Sequence, residues 1–74
     1  MKKTELDLHG VRHGDVQHLI DQFLFQQYKL RTSYITIITG KSDKMKEITT
    51  EVLEEYDLKP EEDFLNSGQL NVRL

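Results

Sequence analysis

The sequence predicts an α/β fold of the two-layer α+β sandwich kind: a four-stranded mixed sheet with two helices on one face, in the order βαβαββ. Three observations carry that expectation. Period-two alternation at residues 6–9 and 69–74 frames the chain. A β-branched run at 34–39 stops at a glycine, and two segments of helical apolar spacing flank that run. Seventy-four residues leave room for one domain, taken as 1–74.

Leu6-Asp7-Leu8-His9 alternates apolar and polar residues and ends at Gly10, as a short first strand does. From about His13 to Leu30 the period becomes helical. Val16, Leu19, Ile20, Phe23, Leu24 and Leu30 fall within an arc of roughly 140° at 100° per residue, a stripe wide enough to face a core. Phe25 lies outside it. Asp15 opens this segment, where its charge suits the helix dipole. Tyr34-Ile35-Thr36-Ile37-Ile38-Thr39, stopping at Gly40, reads as a central strand. The second helix is expected from about Asp43 to Tyr56, capped by Ser42 or Asp43, with Met45, Ile48, Val52, Leu53 and Tyr56 on its apolar side. Pro60 closes that region. Asp63-Phe64-Leu65-Asn66 reads as a short strand, Asn66-Ser67-Gly68 as a turn, and Gln69-Leu70-Asn71-Val72-Arg73-Leu74 as a strand with one buried face.

A strand–helix–strand unit makes a right-handed crossover between parallel strands. His9-Gly10 and Thr39-Gly40 should therefore leave the sheet at the same edge, where ligands of open α/β sheets collect. Alternation puts Leu6, Leu8, Leu70, Val72 and Leu74 beneath the helices. Asp7, His9, Asn71 and Arg73 fall on the open face.

Composition narrows the function classes. There is no cysteine, so neither disulfides nor a thiolate metal site is available. No stretch reaches the length of a membrane span, and the start MKKTELDLHG lacks the apolar core of a signal peptide, so the expected location is cytoplasmic and no membrane partner is expected. The net charge is −3, unevenly spread. Residues 1–46 carry eight Lys/Arg against five Asp/Glu, and residues 47–74 carry two against eight. One part of the surface can thus meet phosphates while another repels them, although acidic helix faces are also ordinarily just solvated.

Two motifs suggest chemistry. In Leu6-Asp7-Leu8-His9-Gly10 a carboxylate and an imidazole stand two residues apart on one strand face, and a carboxylate can orient an imidazole for proton transfer. An ordinary surface pair at a strand end has the same pattern. Thr39-Gly40-Lys41-Ser42 runs into a helix, where free N–H groups, the dipole and a lysine suit a phosphate. A plain capped turn explains Gly40 and Ser42 equally well. It is not a P-loop, because Ile35 stands where that motif needs glycine. His9, His13 and His18 do not make a metal triad: His13 and His18 lie about 140° apart around a helix, and HExxH is absent. Phe25 and Tyr28 could stack on bases or on a second copy.

LDLHG at 6–10, ITGKS at 38–42 and GQLNVRL at 68–74 resemble the three signature blocks of small MutS-related (Smr) domains, namely LDxH, TGxG and a closing G-x-x-x-V-x-L strand. The resemblance spans nearly the whole chain. It implies a two-layer sandwich similar to the C-terminal domain of bacterial translation initiation factor three. It also implies DNA or RNA binding and, in several members, nicking or endoribonuclease activity. By motif, Asp7 and His9 match residues linked to cleavage, and Thr39 and Gly40 match residues linked to substrate binding. Ser42 stands where TGxG has its second glycine. A serine can cap the helix and donate to a phosphate, but it narrows the turn's backbone freedom.

The resulting expectation is a stand-alone domain, a monomer or weak dimer, that binds nucleic acid across this edge; the resemblance adds cleavage of low sequence specificity as one activity open to it. Asp7 and His9 are the catalytic candidates. Gly10, Arg12, Thr39, Gly40, Lys41, Ser42, Lys44 and Arg73 are the phosphate-binding candidates. No metal ligand set is assigned, although a divalent cation such as magnesium could sit at Asp7. Arg73 could instead pair with Asp7. Two rivals remain: a non-catalytic adaptor on RNA, DNA or a ribosome, and a protein-interaction domain using the acidic second helix and Phe25.

Overall fold

In the computed structural model, which describes residues 4–74, the order is β1 (Glu5–Asp7), α1 (Val16–Lys29), β2 (Tyr34–Ile38), α2 (Asp43–Glu54), β3 (Glu61–Glu62) and β4 (Gln69–Arg73). A 3₁₀ turn at His13–Asp15 leads into α1. Lys2 and Lys3, counted in the basic half of the sequence, lie outside the described residues. The strands lie side by side as β1-β2-β4-β3, with β1 and β2 parallel and the other two pairs antiparallel. The expected mixed sheet with two helices is what forms.

One core joins the two layers. Leu8, Ile35, Ile37 and Val72 from the sheet side pack with Val16, Ile20, Phe23 and Leu24 of α1 and with Met45, Val52 and Leu53 of α2. The strand alternation sorts as expected: Ile35 pairs with Val72 and Ile37 with Leu70 on the buried side. Thr36 pairs with Asn71 on the other side, and the Thr36 hydroxyl donates to the Asn71 side-chain oxygen at 3.1 Å. Asp7, His9 and Arg73 are exposed and Asn71 half-buried.

Three details depart from expectation, each for a local reason. Leu30 is 63% exposed, because α1 stops at Lys29 and Arg31 turns the chain back at φ +57°. Gln27, at the centre of the same stripe, is buried in its stead. Tyr56 lies past the end of α2, and its hydroxyl donates a hydrogen bond to the Asp21 carboxylate of α1. The Gln17 amide of α1 donates to the Glu55 carboxylate at the end of α2 at 3.3 Å, so two hydrogen bonds clamp the helices at their polar rim. That bond to Asp21, then burial and the nearby negative charges, push the Tyr56 hydroxyl up to about 12. The folded value lies above the ordinary tyrosine value of about 10, so the clamp is whole at neutral pH and weakens as pH rises through that window.

The third departure is the expected strand at residues 63–66. The strand is instead Glu61–Glu62, and Phe64 and Leu65 are 98% and 90% exposed. Asp63 is the cause. Its carboxylate accepts the backbone N–H of Leu65 at 2.9 Å and of Asn66 at 3.1 Å. A side chain that takes up backbone donors in this way competes with a sheet ladder.

Candidate functional site

Asp7 stands opposite Ile38 in the parallel pair, so the segments after β1 and β2 emerge side by side. The Leu8 N–H donates to the Ile38 carbonyl at 2.7 Å, and the Val11 N–H closes a turn onto the Leu8 carbonyl at 3.0 Å. Gly10 and Gly40 both adopt positive φ, +80° and +69°. At Gly40 a second constraint applies: a Cβ there would stand 3.0 Å from Cδ2 of the His9 ring. The imidazole thus lies against the bare face of Gly40, and the two sequence motifs form one surface.

A groove of about 390 Å³ opens on that surface. His9, Gly10 and His13 line it from the first motif, and Gly40, Lys41 and Ser42 from the second. Its ionisable lining is two imidazoles and one ammonium, and the start of α2 points into the same region. Ser42 is the N-cap: its hydroxyl oxygen accepts the Met45 N–H at 3.1 Å. The first four N–H groups of a helix lack intrahelical partners. With Met45 served by Ser42, and Lys46 bonded to the Ser42 carbonyl at 3.1 Å, those of Asp43 and Lys44 are left for an incoming anion. A wider groove of about 500 Å³ lies between α2 and β3, but Asp43, Glu47, Glu51, Glu54 and Glu62 line it against a single Lys46. That acidic rim repels phosphate, so the smaller groove is the better candidate on charge.

The sequence-predicted residues divide into three groups. His9, Gly10, Gly40, Lys41 and Ser42 come together around the groove. Arg12 and Lys44 are exposed immediately beside it, each next in sequence to lining residues. Asp7, Thr39 and Arg73 stand otherwise than expected. The Asp7 carboxylate accepts the backbone N–H of His9 at 2.9 Å, so it holds the turn that carries the imidazole rather than the ring itself. Thr39 borders the groove, but its side chain is buried and its hydroxyl donates to the carbonyls of Gly40 at 2.9 Å and Gly68 at 3.3 Å. Arg73 pairs with Tyr34 at the opposite end of β2. Four residues of extended chain place it about 13 Å from the Ile38 end, too far to join the groove or to meet Asp7.

Two contributors escaped the sequence reading. His13 enters the groove because the 3₁₀ turn curls the chain back after Gly10. Gly68 locks the second motif from behind: its carbonyl accepts the N–H of Thr39 at 2.9 Å and of Gly40 at 3.1 Å. A Cβ on Gly68 would stand 3.3 Å from the Asn66 side-chain oxygen and 3.4 Å from the Gly40 backbone, so a larger residue there requires the Asn66 side chain to give way. Gly68 opens the closing G-x-x-x-V-x-L block, and that was the available signal.

The lining of the groove supplies imidazoles and an ammonium but no carboxylate. Asp7 is the one carboxylate at the His9 turn, and it already accepts the His9 N–H. Among the described residues no group of three His, Cys, Asp or Glu side chains could hold an ion.

Two strands ending in LDLHG and TGK, closed by a glycine-led last strand, define a class of small α/β domain. The family model for the Smr domain matches residues 6–66, and the chain belongs to that family. Among solved structures, the crystal structure of YdaL, a stand-alone small MutS-related protein from Escherichia coli, superposes with a TM-score of 0.82 at 20% identity. The match covers 100% of this chain and 66% of that one, so this chain spans just under two thirds of its neighbour's length. A search of the curated proteins found no match. No helix among the described residues is long and apolar enough to cross a membrane.

Proposed function

We propose that this chain is a nucleic-acid-binding domain that seats the phosphate backbone of DNA or RNA in the groove between His9 and Lys41. The observation that carries the reading is the convergence, on one sheet edge, of the Lys41 ammonium, two histidines and the open N-terminus of α2. Backbone N–H groups at a helix start together with a lysine make an anion site, and binding of this kind is insensitive to base sequence. Arg12 and Lys44 extend the positive rim on either side. Family membership supports the same reading.

Cleavage of the bound phosphodiester is the second reading, favoured by one observation: two imidazoles, His9 and His13, line the same groove. One takes the proton of the attacking hydroxyl, whether water or an RNA 2′-hydroxyl. The other protonates the leaving oxygen as its bond to phosphorus breaks. Lys41 and the helix N–H groups stabilise the charge on the phosphoryl oxygens. Asp7 acts by fixing the His9 backbone. Without that chemistry the same groove serves an adaptor.

The test sets two opposite charge changes against each other. Lys41→Gln should weaken binding to all sequences alike and flatten the log–log salt dependence on duplex DNA by about one unit, the signature of one lost phosphate contact. Asp43→Asn removes the negative charge at the first residue of α2, beside the seated phosphate, and should tighten binding. Filter binding over a salt series measures both. Equal affinities for wild type and the two variants would mean that phosphates bind elsewhere.

A further inference from the structure

The β3–β4 loop carries an apolar tip with no place in the core. Phe64 and Leu65 are almost wholly exposed, in a stretch otherwise made of acids and small polar residues. The loop that carries them is tied by its own polar side chains and by Asn71. Asp63 accepts the N–H groups of Leu65 and Asn66, and the Asn71 amide donates to its other oxygen at 3.1 Å. Asn66 accepts the Gly68 N–H at 2.9 Å. The Asn71 amide first, then the backbone donors, hold the Asp63 carboxyl below its ordinary value, so the brace is intact at neutral pH and fails only as pH falls through that lowered value.

The position of the tip is as telling as its rigidity. Ile38 pairs with Gln69, so the loop leaves the sheet at the same end as His9 and Gly40. Gly68, at its base, is bonded to the Gly40 turn. Four residues of chain reach at most about 14 Å, which bounds Phe64 to within about four base steps of the groove at 3.4 Å per step. Glu61, Glu62 and Asp63 precede the tip; among the described residues Glu62 has a cation at ion-pair distance, Lys46 at 3.7 Å, and Glu61 shares a small pocket with Lys59 and Arg73. That acidic approach turns phosphates away from the loop. On this charge pattern the tip suits the uncharged base faces of a nucleic acid seated at Lys41 rather than its phosphates.

We propose that Phe64 and Leu65 form a base-stacking wedge that engages unpaired or unstacked nucleobases beside the phosphate groove, giving the domain a preference for single-stranded or distorted nucleic acid over regular duplex. The proposal rests on the phosphate-binding reading above. Aromatic side chains stack on every base, so the wedge selects strand state without selecting sequence. In a closed duplex the bases are already stacked, and engagement there requires an opened step.

The test compares wild type with Phe64→Ala/Leu65→Ala and Phe64→Tyr, using a single-stranded oligonucleotide carrying 2-aminopurine and a perfect duplex of the same sequence. Both replaced side chains are exposed, so the variants retain the fold. Wild type should bind the single strand more tightly than the duplex and quench the 2-aminopurine. The double alanine variant should lose single-strand affinity by about tenfold or more, together with the quench, while duplex affinity and its salt slope stay unchanged. Phe64→Tyr should retain both. Unchanged single-strand binding in the double variant would overturn the wedge and leave the groove standing. So would a loss of self-association on sedimentation with oligonucleotide affinity intact, which would assign the tip to a second copy of the chain. Wild type that binds neither oligonucleotide would overturn the groove and the wedge together.

Discussion

Phe23→Ala should lower the unfolding free energy by about 3–5 kcal/mol, the usual result of truncating a buried aromatic side chain. Phe23 is 8% exposed and belongs to the cluster that joins α1 to the sheet and to α2. A chain of 74 residues has a total stability of about 4–11 kcal/mol at 0.05–0.15 kcal/mol per residue. The substitution thus removes a large share of the margin, and at the lower end of that range all of it. A urea titration should show the midpoint falling by more than about 1 M, given slopes of 1–3 kcal/mol per molar for small proteins. A midpoint that barely moves would show that the layers are held together by other contacts. Phe25, two residues on, is exposed and lies beneath the Lys29 ammonium at 5.3 Å, so Phe25→Ala is the matched control with little expected effect.

The second large effect concerns chemistry. In the proposed cleavage reaction, His9→Ala should reduce the rate by about 10²–10⁴-fold, the range for removing a positioned acid or base. Binding should hardly change, because the phosphate is held by Lys41 and the start of α2. His13→Ala should act in the same direction. Asp7→Asn should do less than either, since an amide oxygen can still accept the His9 N–H that the carboxylate now holds. Nicking of supercoiled DNA and cleavage of structured RNA, each with and without magnesium, measure the series. Full activity in His9→Ala would remove the imidazole from the reaction. Wild type that binds both substrates and cleaves neither would make the groove an adaptor surface.

How much of this was legible in the sequence varies with the physics of each element. The two helices and strands β1, β2 and β4 were, because alternation and helical spacing record which side of each element is buried. The meeting of LDLHG with TGK was too, because a βαβ unit leaves little choice of handedness. Arg73 was misplaced because alternation fixes the face of β4 but not its direction. Running antiparallel to β2, the strand brings its first residue, Gln69, beside the site and carries Arg73 away. Thr39 looked like a ligand, but it sits where the sheet edge is sealed by Gly68, and its hydroxyl turns inward to two carbonyls. Residues 63–66 read as a short strand because Phe64-Leu65 has the composition of one, whereas Asn66-Ser67-Gly68 reads correctly as a turn. The competing side-chain bonds of Asp63 leave no periodic trace.

Under the proposed function, this domain holds nucleic-acid phosphates at the edge shared by His9 and Lys41. The most direct test is the salt dependence of wild-type binding to a duplex and to a single strand of the same sequence. A groove that seats about two to three phosphates predicts affinity falling linearly on log–log axes, with a slope of about −2 to −3 on duplex. Binding that is independent of salt, or absent with both strands at low salt, would contradict it.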